Sequence, residues 1–254
     1  MNLTIPIISN TAHNIVLNRY KISAISYTNT KPFVYGLQHS GIVEKIELIF
    51  DVPAECARKL IEDTVDIGIV PVAALLLIPN YQIVADYCIG AVGAVDSVFI
   101  FSNKPAEEIR TLRLDLQSRT SNNLAKVLLK NYWKNVPEIV EGEAEAFVEI
   151  GDRTFGKKDK YPFVYDLAEE WQKFTGLPFV FAVWASNKPI SEAFVNEFNS
   201  ALKLGLDHRE EIISELPQRD DFDFCDYLMN KLQYDLDDKK RQAIDKYLDF
   251  VKAL

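Results

Sequence analysis

Histidine and cysteine are scarce in this chain of 254 residues, at three each. The histidines (His13, His39, His208) are scattered and form no HExxH pattern, which argues against a catalytic metal. The cysteines (Cys56, Cys88, Cys225) are odd in number, far apart and without a CxxC pair, so they read as free thiols in a reducing compartment. No GxGxxG fingerprint is present, and no apolar run approaches the roughly 20 residues that span a bilayer. The apolar patch Leu3 to Ile8 has no basic stretch ahead of it, holds Pro6 and leads to no small-residue cleavage site, a poor match to a secretory signal. A cytoplasmic protein is expected, with residues 1–18 as an extension ahead of the first strand. Basic side chains are outnumbered 28 to 37, for a formal net charge of −9. That disfavours a nucleic acid or an anionic membrane as partner and leaves a small molecule, since a cleft can be locally positive on an acidic protein.

What is present fits an ordinary globular chain, 48% apolar and 26% charged. Strand and helix patterns alternate, the signature of α/β folds. Strands are expected at Ile22–Ser26, Lys45–Phe50, Val65–Val70, Ile83–Asp86, Ser97–Phe101, Leu112–Leu116, Phe147–Ile150, Phe163–Asp166 and Phe179–Trp184. Pro53 opens one helix, Ser121 caps another and Val72–Leu77 forms a short one. Beyond residue 185 the pattern is helical throughout, with Asp237 or Asp238 as the cap of the last helix.

Ser102-Asn103-Lys104-Pro105 and Ser186-Asn187-Lys188-Pro189 repeat one tetrapeptide after two apolar strands. The repeat reads either as two similar surface turns or as the mark of two crossings between lobes. On the second reading the chain builds lobe 1 over 19–97, lobe 2 over 98–183, and returns to lobe 1 over 184–254. No Pro/Gly-rich linker separates them, so the hinges are short and structured.

Four segments offer chemistry. Ser26-Tyr27-Thr28-Asn29-Thr30-Lys31-Pro32-Phe33 follows the first strand, where open α/β sheets bind ligands, and it serves either that purpose or simply as the entry to the helix that Pro32 starts. Gly90–Ser97 is rich in small residues and fits a hinge or a pocket wall. Ser118-Arg119-Thr120-Ser121 sits ahead of a helix, whose unpaired N–H groups favour a carboxylate, and Arg119 adds a guanidinium able to grip one at two points. Asp152 either faces the cleft or pairs with Arg153 or Arg119, while Asp166 reads as a helix cap. Glu141, Glu143, Glu145 and Glu149 read as a solvated surface.

Taken together, SYTNTKP (Ser26–Pro32), SVFIFS (Ser97–Ser102), SRTS (Ser118–Ser121), GDR (Gly151–Arg153) and YDLAEEWQKFTGLPFVFAVWA (Tyr165–Ala185) resemble the chorismate dehydratase family of futalosine-dependent menaquinone biosynthesis. The last piece is long and specific, the others short. The chain departs from the family in its N-terminal extension and in Thr28, where leucine is common. The resemblance implies a two-lobed type-2 periplasmic-binding-protein-like α/β fold with a ligand cleft between the lobes. It implies a hydro-lyase that turns chorismate into 3-[(1-carboxyvinyl)oxy]benzoate, with no metal or organic cofactor. It places the family's asparagine on Asn29 and its cleft serine on Ser97 as catalytic residues. Ser26, Thr30, Ser118, Arg119, Thr120, Ser121 and Asp152 are then the expected substrate-binding residues. Two rivals share the fold: a non-catalytic solute-binding protein for a small carboxylate, and the sister enzyme that makes 1,4-dihydroxy-6-naphthoate with the help of a cleft histidine.

Overall fold

The computed structural model describes residues 19–254, so the expected extension over 1–18 lies outside the described residues. In chain order the first elements are β1 (Tyr20–Ile25), α1 (Lys31–His39), β2 (Ile46–Asp51), α2 (Pro53–Ile61), β3 (Ile67–Pro71), β4 (Gln82–Ala91), β5 (Val98–Ser102), β6 (Thr111–Arg113) and α3 (Arg119–Asn131). There follow β7 (Glu138–Val140), β8 (Ala146–Ile150), β9 (Phe163–Asp166), α4 (Leu167–Thr175), β10 (Phe179–Ser186), α5 (Glu192–Asp207), α6 (Arg209–Ser214), the single turn α7 (Phe224–Asp226), β11 (Gln233–Asp235) and α8 (Asp238–Lys252).

The strands form two sheets, ordered β11-β4-β10-β3-β1-β2 and β7-β6-β8-β5-β9. Apart from the edge strand β11, the two have one plan. A parallel trio (β2-β1-β3, β7-β6-β8) is followed by an antiparallel strand (β10, β5) and then the last strand (β4, β9). In each lobe the antiparallel strand is the first one the chain makes after crossing over. That explains the repeated tetrapeptide. Ser102 Oγ accepts from Lys104 N at 3.0 Å and donates to Lys104 O at 2.7 Å. Ser186 Oγ makes the same pair with Lys188, at 3.2 and 2.8 Å. The repeat marks equivalent strand ends in two lobes rather than the crossings themselves. β10 pairs with β3 and β4 from Phe179 onward, so the second crossing precedes Phe179, whereas the sequence had placed it after 183.

Several local details follow from side-chain chemistry. The cap of α3 lies three residues before the expected Ser121: Ser118 Oγ accepts from Ser121 N at 3.1 Å. Asp237 caps α8 by accepting from Lys240 N at 2.8 Å. Helices α1 and α5 cross at Gly36 and Gly205, where a Cβ on Gly205 would lie 1.6 Å from the Pro32 carbonyl oxygen. Around that crossing Phe33, Trp184 and Phe198 pack edge to face in the first lobe. Expected to be helical, the tail instead inserts β11 as an edge strand on β4. α8 packs on β10 and also reaches the second lobe, where the Tyr247 and Phe250 rings meet Trp171 of α4. Glu149 is not a solvated acid: it is largely buried and pairs with Lys157 at 2.7 Å.

Candidate active site

A cleft opens between the two sheets, at the carboxyl ends of β1, β3 and β8 and at the start of α3, the place where open α/β sheets bind ligands. Counting the space that opens to solvent, it spans about 520 Å³. Its wall is mostly apolar (Ile25, Pro53, Val95, Val98, Ile150, Phe181), with Tyr27, Asn29, Ser97, Ser118 and Ser121 as the side chains able to hydrogen-bond. Among the described residues none of those lining it is charged. An apolar wall with a few convergent polar groups is the usual build of a small-molecule site.

Asn29 arrives on a 3-10 turn, Thr28–Thr30, that joins β1 to α1. Tyr234 of β11 donates to its carbonyl at 2.9 Å and fixes its backbone. Ser97 ends the first crossing, immediately before β5. Its Oγ accepts from the Tyr227 hydroxyl at 2.9 Å. Asp96, the preceding residue, sits in the left-handed region at φ 60°. The Asp166 carboxylate holds this strained segment, accepting from Val95 N at 2.9 Å and Asp96 N at 2.7 Å. Its other oxygen caps α4 through Ala168 N and Glu169 N. Burial pushes the Asp166 carboxyl up to about 6, against the pull of those amides.

Ser118 and Ser121, three apart at the head of α3, point the same way and bond to each other through their hydroxyls at 2.8 Å. The first-turn N–H groups of α3 have no carbonyl of their own helix to reach, and the helix dipole adds positive potential there.

Five expected binding residues do not line this cleft. Arg119 is exposed at the first position of α3, because the turn of the helix carries it away from the face that Ser118 and Ser121 share. Thr120 is buried and ties the lobes together: its Oγ1 accepts from Ala73 N at 3.1 Å and its carbonyl accepts from Tyr247 Oη at 2.9 Å. Thr30 turns inward and donates to the carbonyls of Ile25 and Tyr27 at 2.5 and 2.8 Å, stapling the turn. Ser26 is exposed. Asp152 accepts from Thr28 N and Thr28 Oγ1, the latter at 2.9 Å, and so joins the lobes across the cleft.

Two tyrosines lie at the site without having been expected there. Tyr27 lines the cleft and donates to Gln117 of the second lobe. Burial raises its phenol above the ordinary value, with Arg153 pulling the other way, while Arg153 itself pairs with Asp115 at 2.6 Å. Gly151 faces the Tyr27 ring at φ 66°, where a Cβ would come within 3.1 Å of it. Tyr27 was legible as a neighbour of Asn29. Tyr227 was not, since a tyrosine in a helical stretch reads as core. His39 and His208 stack on Tyr35 and line no part of the cleft, and His13 lies outside the described residues. Among the described residues no group of three or more His, Cys, Asp or Glu is placed to hold a metal ion, and no helix is long and apolar enough to cross a membrane.

Two α/β lobes of one strand plan about a cleft define a periplasmic-binding-protein-like fold. A Candida albicans protein described as having the generic periplasmic binding protein fold superposes with a TM-score of 0.60 at 12% identity, covering 93% of this chain and 90% of that one. A structural-genomics protein of Archaeoglobus fulgidus reaches 0.71 at 15% identity, over 93% and 97% of the two chains. The particular family is given by sequence: the menaquinone biosynthesis family matches residues 20–253, and the chain belongs to it. The chain is also 27% identical over 226 residues to the chorismate dehydratase of Thermus thermophilus, across 76% of this chain and 80% of that protein.

Proposed function

We propose that this protein is a hydro-lyase that dehydrates chorismate to 3-[(1-carboxyvinyl)oxy]benzoate, on the futalosine route to menaquinone. The observation that carries this reading is the convergence of Asn29, Ser97 and the head of α3 on one apolar cleft, in a chain of the menaquinone biosynthesis family. The substrate class follows the name of the Thermus relative.

The reaction removes the ring C3 proton and the C4 hydroxyl. The C3–H electron pair becomes the new ring double bond as the C4–O bond breaks, and the ring becomes aromatic. Aromaticity supplies the driving force, so the site has to orient the ring and place dipoles where charge develops. Ser97 and Asn29 polarise the departing hydroxyl. Ser118, Ser121 and the amides at the head of α3 receive a carboxylate in place of the guanidinium expected from Arg119. Among the described lining side chains the Tyr27 phenol is the one that titrates, and burial raises it further. In this reading the proton goes to a carboxylate of the substrate itself or to a bound water. An apolar wall keeps bulk water from the reacting face and strengthens each of these dipoles.

The test is incubation with chorismate followed by mass spectrometry. A product lighter by one water, with aromatic absorbance, is expected. Asn29→Ala and Ser97→Ala should each lower turnover by about a hundredfold, the usual cost of losing one preorganised donor. Unchanged chorismate from folded protein would remove the reading, and full turnover by both variants would remove the roles given to Asn29 and Ser97.

A further inference from the structure

Tyr227 opens a π-helical turn, Tyr227–Lys231, far along the chain from the cleft segments. Its ring is 1% exposed and stands nearly edge-on to Phe155 of the second lobe and to Phe222, with centroids 5.5 and 5.2 Å away. Such packing leaves the ring one orientation. In that orientation its hydroxyl donates to Ser97 Oγ at 2.9 Å, and the Asn29 side chain neighbours the same phenol oxygen. Burial holds the phenol far above its ordinary pKa, so its hydrogen is always present to donate.

A serine hydroxyl has one hydrogen and two lone pairs. With a lone pair engaged by Tyr227, the Ser97 hydrogen is left to point elsewhere, and Ser97 is a wall of the cleft. An unheld hydroxyl would rotate among its staggered positions and donate into the cleft only part of the time.

We propose that Tyr227 is a positioning residue for the dehydration, fixing the Ser97 hydroxyl as a donor toward the departing hydroxyl of the substrate. The role rests on the chorismate reading, and the experiment separates the two. Tyr227→Phe keeps the ring and its packing and removes only the O–H. It should lower kcat about tenfold, the worth of one ordinary hydrogen bond, and leave KM within about twofold. Because Tyr227 acts through Ser97, adding Y227F to S97A should cause no further loss. A purely structural tyrosine would instead lower the melting temperature and leave kcat per folded molecule unchanged in both backgrounds. Unchanged kcat in Y227F, or the same tenfold loss on the S97A background as on wild type, would overturn the positioning role alone. Wild-type protein inert toward chorismate would overturn the dehydratase reading and this role with it.

Discussion

Replacing Asp166 by alanine tests whether the first crossing is held from the second lobe. The carboxylate is 6% exposed and accepts four backbone N–H groups, two from the crossing at 2.9 and 2.7 Å and two from the head of α4 at 3.0 and 3.2 Å. Losing the helix cap costs about 1 kcal/mol. Each crossing amide left without a partner costs about 1–3 kcal/mol, less if water reaches it. The sum is about 3–7 kcal/mol, against a total of about 5–15 kcal/mol for a typical domain. Urea unfolding at pH 8, where the wild-type carboxyl is charged, should show the midpoint moving down with the slope unchanged. Asp166→Asn keeps one accepting oxygen and should cost less than alanine. The pH dependence has a defined sign. The folded-state value of about 6 lies above the ordinary 3.8, so protonation of this group adds stability that is fully present below about pH 4 and is lost as pH rises through about 6, leaving at pH 8 the part carried by its hydrogen bonds. D166N should remove that component. A cost below about 1 kcal/mol for D166A would refute the assignment, because four bonds to a buried carboxylate cannot be lost so cheaply.

Gly205→Ala would put a methyl 1.6 Å from the Pro32 carbonyl oxygen. It should destabilise by about 3 kcal/mol or more in a thermal melt, whereas Gly41→Ala, with open space around it, should stay within about 1 kcal/mol of wild type. Burial pushes the Cys56 and Cys88 thiols up to about 12, so a thiol reagent at neutral pH should label Cys225 alone; rapid labelling at Cys56 or Cys88 in folded protein would contradict their packing. Asp152→Ala removes the bonds to Thr28 across the cleft. It should raise KM for chorismate several-fold and enlarge the radius of gyration by scattering; an unchanged KM would show that this contact does not hold the lobes together.

Much of this was legible in the sequence because it is local. Period-2 and helical stretches placed most strands and helices within a few residues, since a buried face imposes its spacing wherever it occurs. Asn29 and Ser97 are named through the resemblance to the family, while Ser118 and Ser121 stand where a helix opens, a position that favours a ligand in a sheet of this plan; all four line the cleft. Arg119 is expected in the cleft from its place at the head of a helix, its guanidinium and its match to the family's SRTS element. Helical geometry decides otherwise: residues three apart share a face, and the next residue along turns away. Thr30, Thr120 and Asp152 have the right chemistry for a ligand, but their hydrogen bonds go to groups of the protein itself, the backbone and, for Asp152, also the Thr28 hydroxyl. Sequence fixes which donors exist, not which of them the fold consumes.

The sequence alone therefore determined the class of fold, the family and the segments that meet at the cleft. Only the tertiary structure decided which side chains of those segments remain free to face a ligand. It also brought Tyr227 to Ser97 across 130 residues and Tyr234 to Asn29 across 205. No local pattern encodes such contacts, because they depend on the packing of a whole lobe against the returning chain.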